Sequence, residues 1–243
     1  MAGDRLLAIL AKLSAGSTIE PEPARLCEVC AEVALMTGAG IMLMTGDTQQ
    51  GSVCSSNAVS ALIEELQYTL GEGPCVDAHM QDRPVLESDL ADPAVTRWFA
   101  FTPPAVAAGA RAVFGFPLQF GGVRLGALNL YRDRPGPMSD DQYANALVLA
   151  GVAAQAVLAM QAHASPGALS TELEEGANFR FVVHQASGMV AAQLGVSVGE
   201  ALARLRAYAF GNELLLTDVA EAIVARKLRI DDRTGDSPRP SFD

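Results

Sequence analysis

A break at Ser165-Pro166-Gly167, followed by the acidic run Glu172, Glu174 and Glu175, divides this chain more sharply than any other feature. Pro and Gly together interrupt helix and strand alike. Before the break, β-like runs lie between helical segments; after it the periodicity is helical only. With 243 residues, each part is long enough to bury its own core. Half the residues are hydrophobic and 19% are charged, which excludes wholesale disorder. The organisation predicted is a domain over 1–163, a linker or helix extension over 164–178, a second domain over 179–230, and a disordered acidic tail over 231–243.

In the first part, amphipathic helices are expected over about 5–13 and 24–37, separated by the Ser/Gly/Pro-rich stretch 14–23. Strands follow at 41–44 and 50–55, then a helix over 58–69 that ends in Gly71-Glu72-Gly73-Pro74. The runs 111–117 and 125–131 read as a hairpin around Gly121-Gly122, with both glycines expected at positive φ. Ser139-Asp140-Asp141-Gln142 fits a capping box, with Met138 and Tyr143 as its staple, opening a long helix to about residue 163. Strands bracketed by helices predict an α+β domain.

The second part reads as three short amphipathic helices. Phe179, Val182, Val183, Ala186 and Val190 share one face of the first, which Gly195 stops. Ser197-x-x-Glu200 is a second capping-box pattern, ahead of inward-facing Ala201, Leu202, Leu205, Tyr208 and Ala209. A third helix over about 217–229 would bury Val219, Ala220, Ile223, Val224 and Leu228. The chain's net charge of −11 argues against a protein coated in nucleic acid. Residues 179–230, however, hold six Lys/Arg against four Asp/Glu, a mildly basic island between acidic flanks.

Each chemical motif has a plain structural reading beside it. Cys27-x-x-Cys30 could bind metal or cycle between thiol and disulfide, or simply place two small residues on a buried helix face. No second Cys or His pair completes a zinc site. Cys75 is either a reactive thiol at a tight turn or the start of a helix. Four cysteines are too few for a disulfide scaffold, so the thiols are expected to be mostly reduced. His79, His163 and His184 are scattered, and neither a nucleophile elbow nor a phosphate loop is present. No enzyme, metal or cofactor is predicted. The N-terminus lacks an export signal, and the apolar run 147–160 is short of a bilayer span, so a cytoplasmic protein without membrane contact is expected. Gly188 sits mid-helix on the face of His184, beside Ser187 and Ala191. A small-residue strip there serves either close helix packing or close approach of a nucleic-acid backbone.

Two resemblances sharpen these readings. Residues 70–75 (Leu-Gly-Glu-Gly-Pro-Cys), Asp89-Leu90, 109–113 (Gly-Ala-Arg-Ala-Val), Phe116-Pro117-Leu118 and 125–131 (Leu-Gly-Ala-Leu-Asn-Leu-Tyr) resemble a GAF domain. That resemblance implies an antiparallel sheet flanked by helices, sensing of a small molecule whose identity no motif names, and dimerisation through terminal helices. Cys54, Cys75, Phe116 and Asn129 are the candidate pocket residues. Val183 to Val190, Glu200-Ala201-Leu202 with Leu205-Arg206 and Ala209, and Asp218-Val219-Ala220 with Ile223-Val224 resemble the ANTAR domain, an all-α three-helix RNA-binding module of antitermination regulators. The family's usual Ala-Lys-Gly is here Ala186-Ser187-Gly188, one positive charge fewer. The combination implies a homodimeric, signal-responsive regulator that binds tandem stem-loops in nascent transcripts. The candidate RNA-binding residues are His184, Gln185, Ser187, Gly188, Arg204, Arg206, Arg226 and Lys227. A ligand, or redox change at Cys54 or Cys75, would act through the helices around 140–163. The alternatives are a free methionine sulfoxide reductase-like redox enzyme, and a dimerisation module that binds no RNA.

Overall fold

The computed structural model describes residues 2–15, 23–45, 48–162, 178–212 and 214–230. It divides into two compact units, Met1–Gly176 and Ala177–Asp243. The expected linker up to residue 177 and the acidic tail lie outside the described residues, as does His163.

The first unit runs α1 (Ala2–Ser14), α2 (Pro23–Ala34), β1 (Gly38–Thr45), β2 (Thr48–Ser55), α3 (Ala58–Leu70), α4 (Pro74–Gln81), β3 (Val85–Glu87), α5 (Thr102–Ala107), β4 (Ala112–Phe120), β5 (Val123–Arg132) and α6 (Asp140–Ala162). The five strands form one antiparallel sheet in the order β2-β1-β5-β4-β3. Its central strands are covered on both sides, which is why β4 reads as a near-continuous apolar run rather than an alternation. One core joins Leu26, Ile41, Phe114, Phe116, Leu128 and Leu130 to Leu149, Ala153 and Val157 of α6. The other joins Ile63, Ala78, Trp98, Phe101, Val113 and Tyr131. The sequence reading assigned no elements to residues 82–110. There β3 pairs with β4, α5 contributes the buried Ala105, and the Trp98 indole N–H donates to Asp77 Oδ2 at 3.0 Å.

Caps decide where the helices begin and end. Asn57 and Ser60 form a reciprocal capping box at α3, and Gly71 closes that helix at φ 69°. At α6 the Gln142 N–H donates to Ser139 Oγ (3.2 Å) and the Ser139 N–H to Gln142 Oε1 (3.0 Å), as expected from the motif. The β4–β5 turn departs from expectation. Gly121 lies at φ 58° and Gly122 does not share its positive φ, so the first tip position alone requires glycine. Gly126 is more constrained: at φ 154°, a Cβ would collide with the Met42 carbonyl oxygen of the neighbouring strand.

The cysteines correct the expectation of reduced thiols. Cys27 of α2 and Cys54 of β2 are joined in a disulfide, because the helix packs across the strand with Cα atoms 6.1 Å apart. Cys30 and Cys75 are free and buried. The CxxC spacing thus contributes one bridge to a distant cysteine and one core thiol. By length and composition α6 could cross a membrane, but Ala146, Leu149, Ala153 and Val157 are buried in the sheet-packed core.

The second unit is three helices: α7 (Asn178–Leu194), α8 (Val198–Gly211) and α9 (Leu216–Val224). Val183, Ala186 and Val190 of α7, Ala201, Leu205 and Ala209 of α8, and Val219, Ala220 and Ile223 of α9 form its core. Tyr208, Val224 and Leu228 are half-buried rather than inward. Only half of the second capping box forms: Ser197 Oγ accepts the Glu200 N–H, while the Glu200 carboxylate takes Arg204 at 2.9 Å. The third helix is shorter than expected. It ends at Val224, Arg226 adopts φ 58°, and the N–H groups of Lys227 and Leu228 fold back onto Ala222 O. The Gln193 side chain holds the returning strand of chain by donating to Ile230 O (2.8 Å).

Candidate functional site

The first unit buries an unusual concentration of polar groups between its sheet and α3–α4. Asn129 stands at the centre of β5, flanked in register by Gly40 of β1 and Gly115 of β4. Residues paired across antiparallel strands point to the same face, so glycine on both sides means that neither neighbouring strand sets a side chain beside Asn129. The wall above Gly40 is Glu64: a Cβ on Gly40 would lie 2.7 Å from Glu64 Cγ and Oε1. The wall above Gly115 is the Pro74–Cys75 backbone at the start of α4, against which a Cβ would collide. Gln67, one turn beyond Glu64, accepts the Cys75 N–H at 2.8 Å. Glu64, Gln67, His79 and Asn129 are each 1% exposed or less.

Of these, Asn129 is the most telling. Neither its amide nitrogen nor its amide oxygen has a hydrogen-bond partner. A buried amide left in that state costs about 1–3 kcal/mol. Cys75, at the start of α4, borders the same layer. Burial pushes its thiol well above the ordinary 9.0, the charge of Glu64 adds to that, and the Gln67 hydrogen bond opposes it only partly. Burial alone lifts Cys30 to about 12. Among the described residues, no group of three or more His, Cys, Asp or Glu is placed to hold a metal ion.

The four sequence-derived pocket candidates therefore separate. Asn129 and Cys75 come together, whereas Cys54 and Phe116 belong to the opposite core. Cys54 is consumed in the disulfide, and Phe116 packs its ring 5.7 Å from that of Tyr143. Phe116 pairs with Leu128, one residue from Asn129, and the pleat sends successive side chains to opposite faces. Glu64, Gln67 and His79 were missed. The signal that could have found Glu64 and Gln67 is polar residues at i,i+3 on the otherwise apolar face of α3, beside Ser60 and Ile63; His79 lies on α4.

In the second unit, Gln185 is exposed, His184 is half-buried and Gly188 is open, with nothing within 4 Å of a Cβ placed there. The helix-packing alternative for Gly188 thus finds no neighbour among the described residues. Ser187 corrects the surface expectation: it is 1% exposed and donates its hydroxyl to Val183 O at 2.7 Å, one helical turn back. It faces the bundle interior. Arg204 is held by Glu200, and Arg206 is half-buried. Residues Arg226 and Lys227 lie on the reversed turn after α9 rather than on a helix face, and they serve different surfaces. Arg226 and Arg229 line a groove of about 350 Å³ with Met189, Gln193, Ile223 and Leu228. Lys227 lines another, beside Asp218 and Glu221. Gln185, Met189 and Gln193 recur every four residues along α7 and so form one track into the Arg226–Arg229 groove.

Known proteins divide the chain in the same way. The GAF-domain family model matches residues 23–158, and the ANTAR-domain model matches residues 171–224. No curated protein matches the chain. The GAF domain of an Acinetobacter phosphoenolpyruvate-protein phosphotransferase is similar in structure, with TM-score 0.50 and 14% identity over 67% of this chain and 96% of that one. The corresponding domain from Coxiella burnetii gives TM-score 0.50 and 15% identity over 66% and 95%. At such identities the likeness concerns the fold.

Proposed function

Because the chain belongs to the GAF family and carries an ANTAR domain behind that module, we propose that it is a signal-responsive, RNA-binding antitermination regulator of the cytoplasm. The observation that carries this reading is the ANTAR match together with an open, basic-ended surface: Gly188 and Gln185 on α7, continuing through Met189 and Gln193 to Arg226 and Arg229. Arginine suits phosphate contacts, and exposed polar side chains suit the edges of unpaired loop bases. Lys227, set beside Asp218 and Glu221, contributes less. Two stem-loops call for two reading units, hence a homodimer. Exposed Leu6, Leu7 and Leu10 of α1 and Leu147 of α6 support that, since Arg5 ties the two helices together through Asp141 and Asn145. The reductase alternative draws no support from the thiols: the Cys27–Cys54 disulfide and Cys30 lie in one core, and neutral Cys75 lies on the sheet's other face.

The test is titration of the full chain against tandem stem-loop RNA selected from bound transcripts. Arg226→Gly suits the φ of 58° while removing the charge, and Gly188→Glu places an anion on open surface. Each is expected to weaken binding by roughly tenfold or more. Ser187→Ala, buried away from the surface, should leave affinity unchanged. No enrichment of tandem stem-loops by the wild type, or equal affinity in both charge variants, would overturn the proposal.

A further inference from the structure

We propose that the acidic segment beginning Asp231-Asp232 seats in the groove of Arg226 and Arg229 and competes there with RNA phosphate. This rests on the RNA reading proposed above and adds a control of that same surface by the chain itself. The fold delivers the segment to the groove. After α9 the left-handed turn at Arg226 sends the chain back, and the Lys227 and Leu228 N–H groups close onto Ala222 O. Ile230 is then 8% exposed, and its carbonyl accepts a hydrogen bond from Gln193 Nε2 at 2.8 Å. Gln193, Arg226, Leu228 and Arg229 all line the groove. The chain therefore leaves Ile230 at the groove's own edge. Even fully extended, Asp231 and Asp232 start at most about 7 and 11 Å from the Arg229 Cα.

The charges are complementary. The acids described in the second unit are committed elsewhere: Glu200 to Arg204, and Asp218 and Glu221 to the groove of Lys227. Among the described residues, none is left to pair with Arg226 or Arg229. Residues 231–243 hold four Asp against Arg233 and Arg239, and the two that come first are adjacent. Carboxylate and phosphate are alternative partners for a guanidinium, each taken by paired N–H donors. Met189, Ile223 and Leu228 beside the arginines exclude water from part of the groove, which strengthens either pairing. So short a tether holds the carboxylates at an effective concentration on the order of millimolar or more. Surface ion pairs are individually weak, so a transcript that places several phosphates correctly displaces the segment. The segment thus acts as a filter against weak, non-specific RNA.

Two measurements on the full chain test this. Without RNA, the side-chain Nε–H resonances of Arg226 and Arg229 are followed by NMR in the wild type and in Asp231→Asn/Asp232→Asn. Both are expected to shift, while Asp236→Asn/Asp243→Asn, equal in charge but farther along, should leave them in place. With tandem stem-loop RNA, the first pair of substitutions is expected to tighten binding about three- to tenfold at low salt, the gain shrinking as salt rises. In an Arg226→Gly background that gain should fall by about half or more, because the two changes act on one contact. Unmoved arginine resonances, equal RNA gains from the two pairs of substitutions, or an undiminished gain in Arg226→Gly would each overturn the proposal. So would resonances that move only as protein concentration rises, since a second copy's segment would then be the occupant. Shifted resonances in a protein that binds no stem-loop RNA would leave the docking standing and overturn the RNA reading instead.

Discussion

Asn129 and Phe116 show how little separates a site residue from a core residue. They lie on neighbouring strands one register step apart, and the pleat alone sends one into the polar layer and the other against Tyr143. Both were plausible pocket residues in the sequence, because nothing local states which face of a doubly covered sheet a residue takes. The glycines are equally specific. Gly126→Ala is expected to cost about 2 kcal/mol or more in a denaturant titration, since the new methyl would meet backbone rather than a mobile side chain. Arg226→Gly should instead raise stability by about 1 kcal/mol, the left-handed conformation being costly for any side chain. Cys30 makes a pH prediction. Its thiol ionises near the ordinary 9.0 when unfolded and at about 12 when folded, so its contribution is whole below pH 9 and is lost as pH rises towards 12. Between pH 9 and 10 the wild type should lose stability more steeply than Cys30→Ala, as read from urea midpoints.

At the level of elements, the disulfide is the strongest addition that tertiary structure made. It staples α2 to the edge strand β2 across a separation of 27 residues. Reduction, or Cys54→Ser, is expected to destabilise the first unit by about 3 kcal/mol by restoring unfolded-chain entropy. A dithiol should lower the melting temperature of the wild type and leave that of Cys54→Ser unmoved. Elements with local start signals were legible: the box at Ser139–Gln142, the staple residues beside the core, and the glycine stops after α3 and α7. Those that depend on distant partners were not. β3 is three residues long and exists by pairing with β4; the turn before α5 is held by Glu72, whose Oε1 accepts the N–H groups of Ala100 and Phe101. The end of α9 escaped as well, because Arg226 carries no helix-stop signal and turns there only because Leu228 and Ile230 return to pack.

Across the whole molecule, charge is distributed by unit. The −11 of the chain belongs to the sensing part, the acidic run and the tail, whereas the reading unit is mildly basic. With Arg204 engaged by Glu200 and Lys227 set among acids, few cations remain to meet phosphate. RNA affinity is therefore expected to fall only shallowly with salt, with a log–log slope of roughly −2 to −3 per protomer. A much steeper slope would mean broad electrostatic binding rather than reading of loop shape. Most of the elements outside residues 82–110, the two-part organisation and the likeness to sensor and RNA-reader families could be read along the chain, because periodicity, caps and turn residues act over a few neighbours. Which cysteines join, which side of the sheet is polar, that Ser187 turns inward, and that Gln193 meets the Arg226–Arg229 turn were decided only when the chain closed. Those outcomes depend on groups brought together from distant positions, and no local pattern encodes the face or the partner that packing assigns.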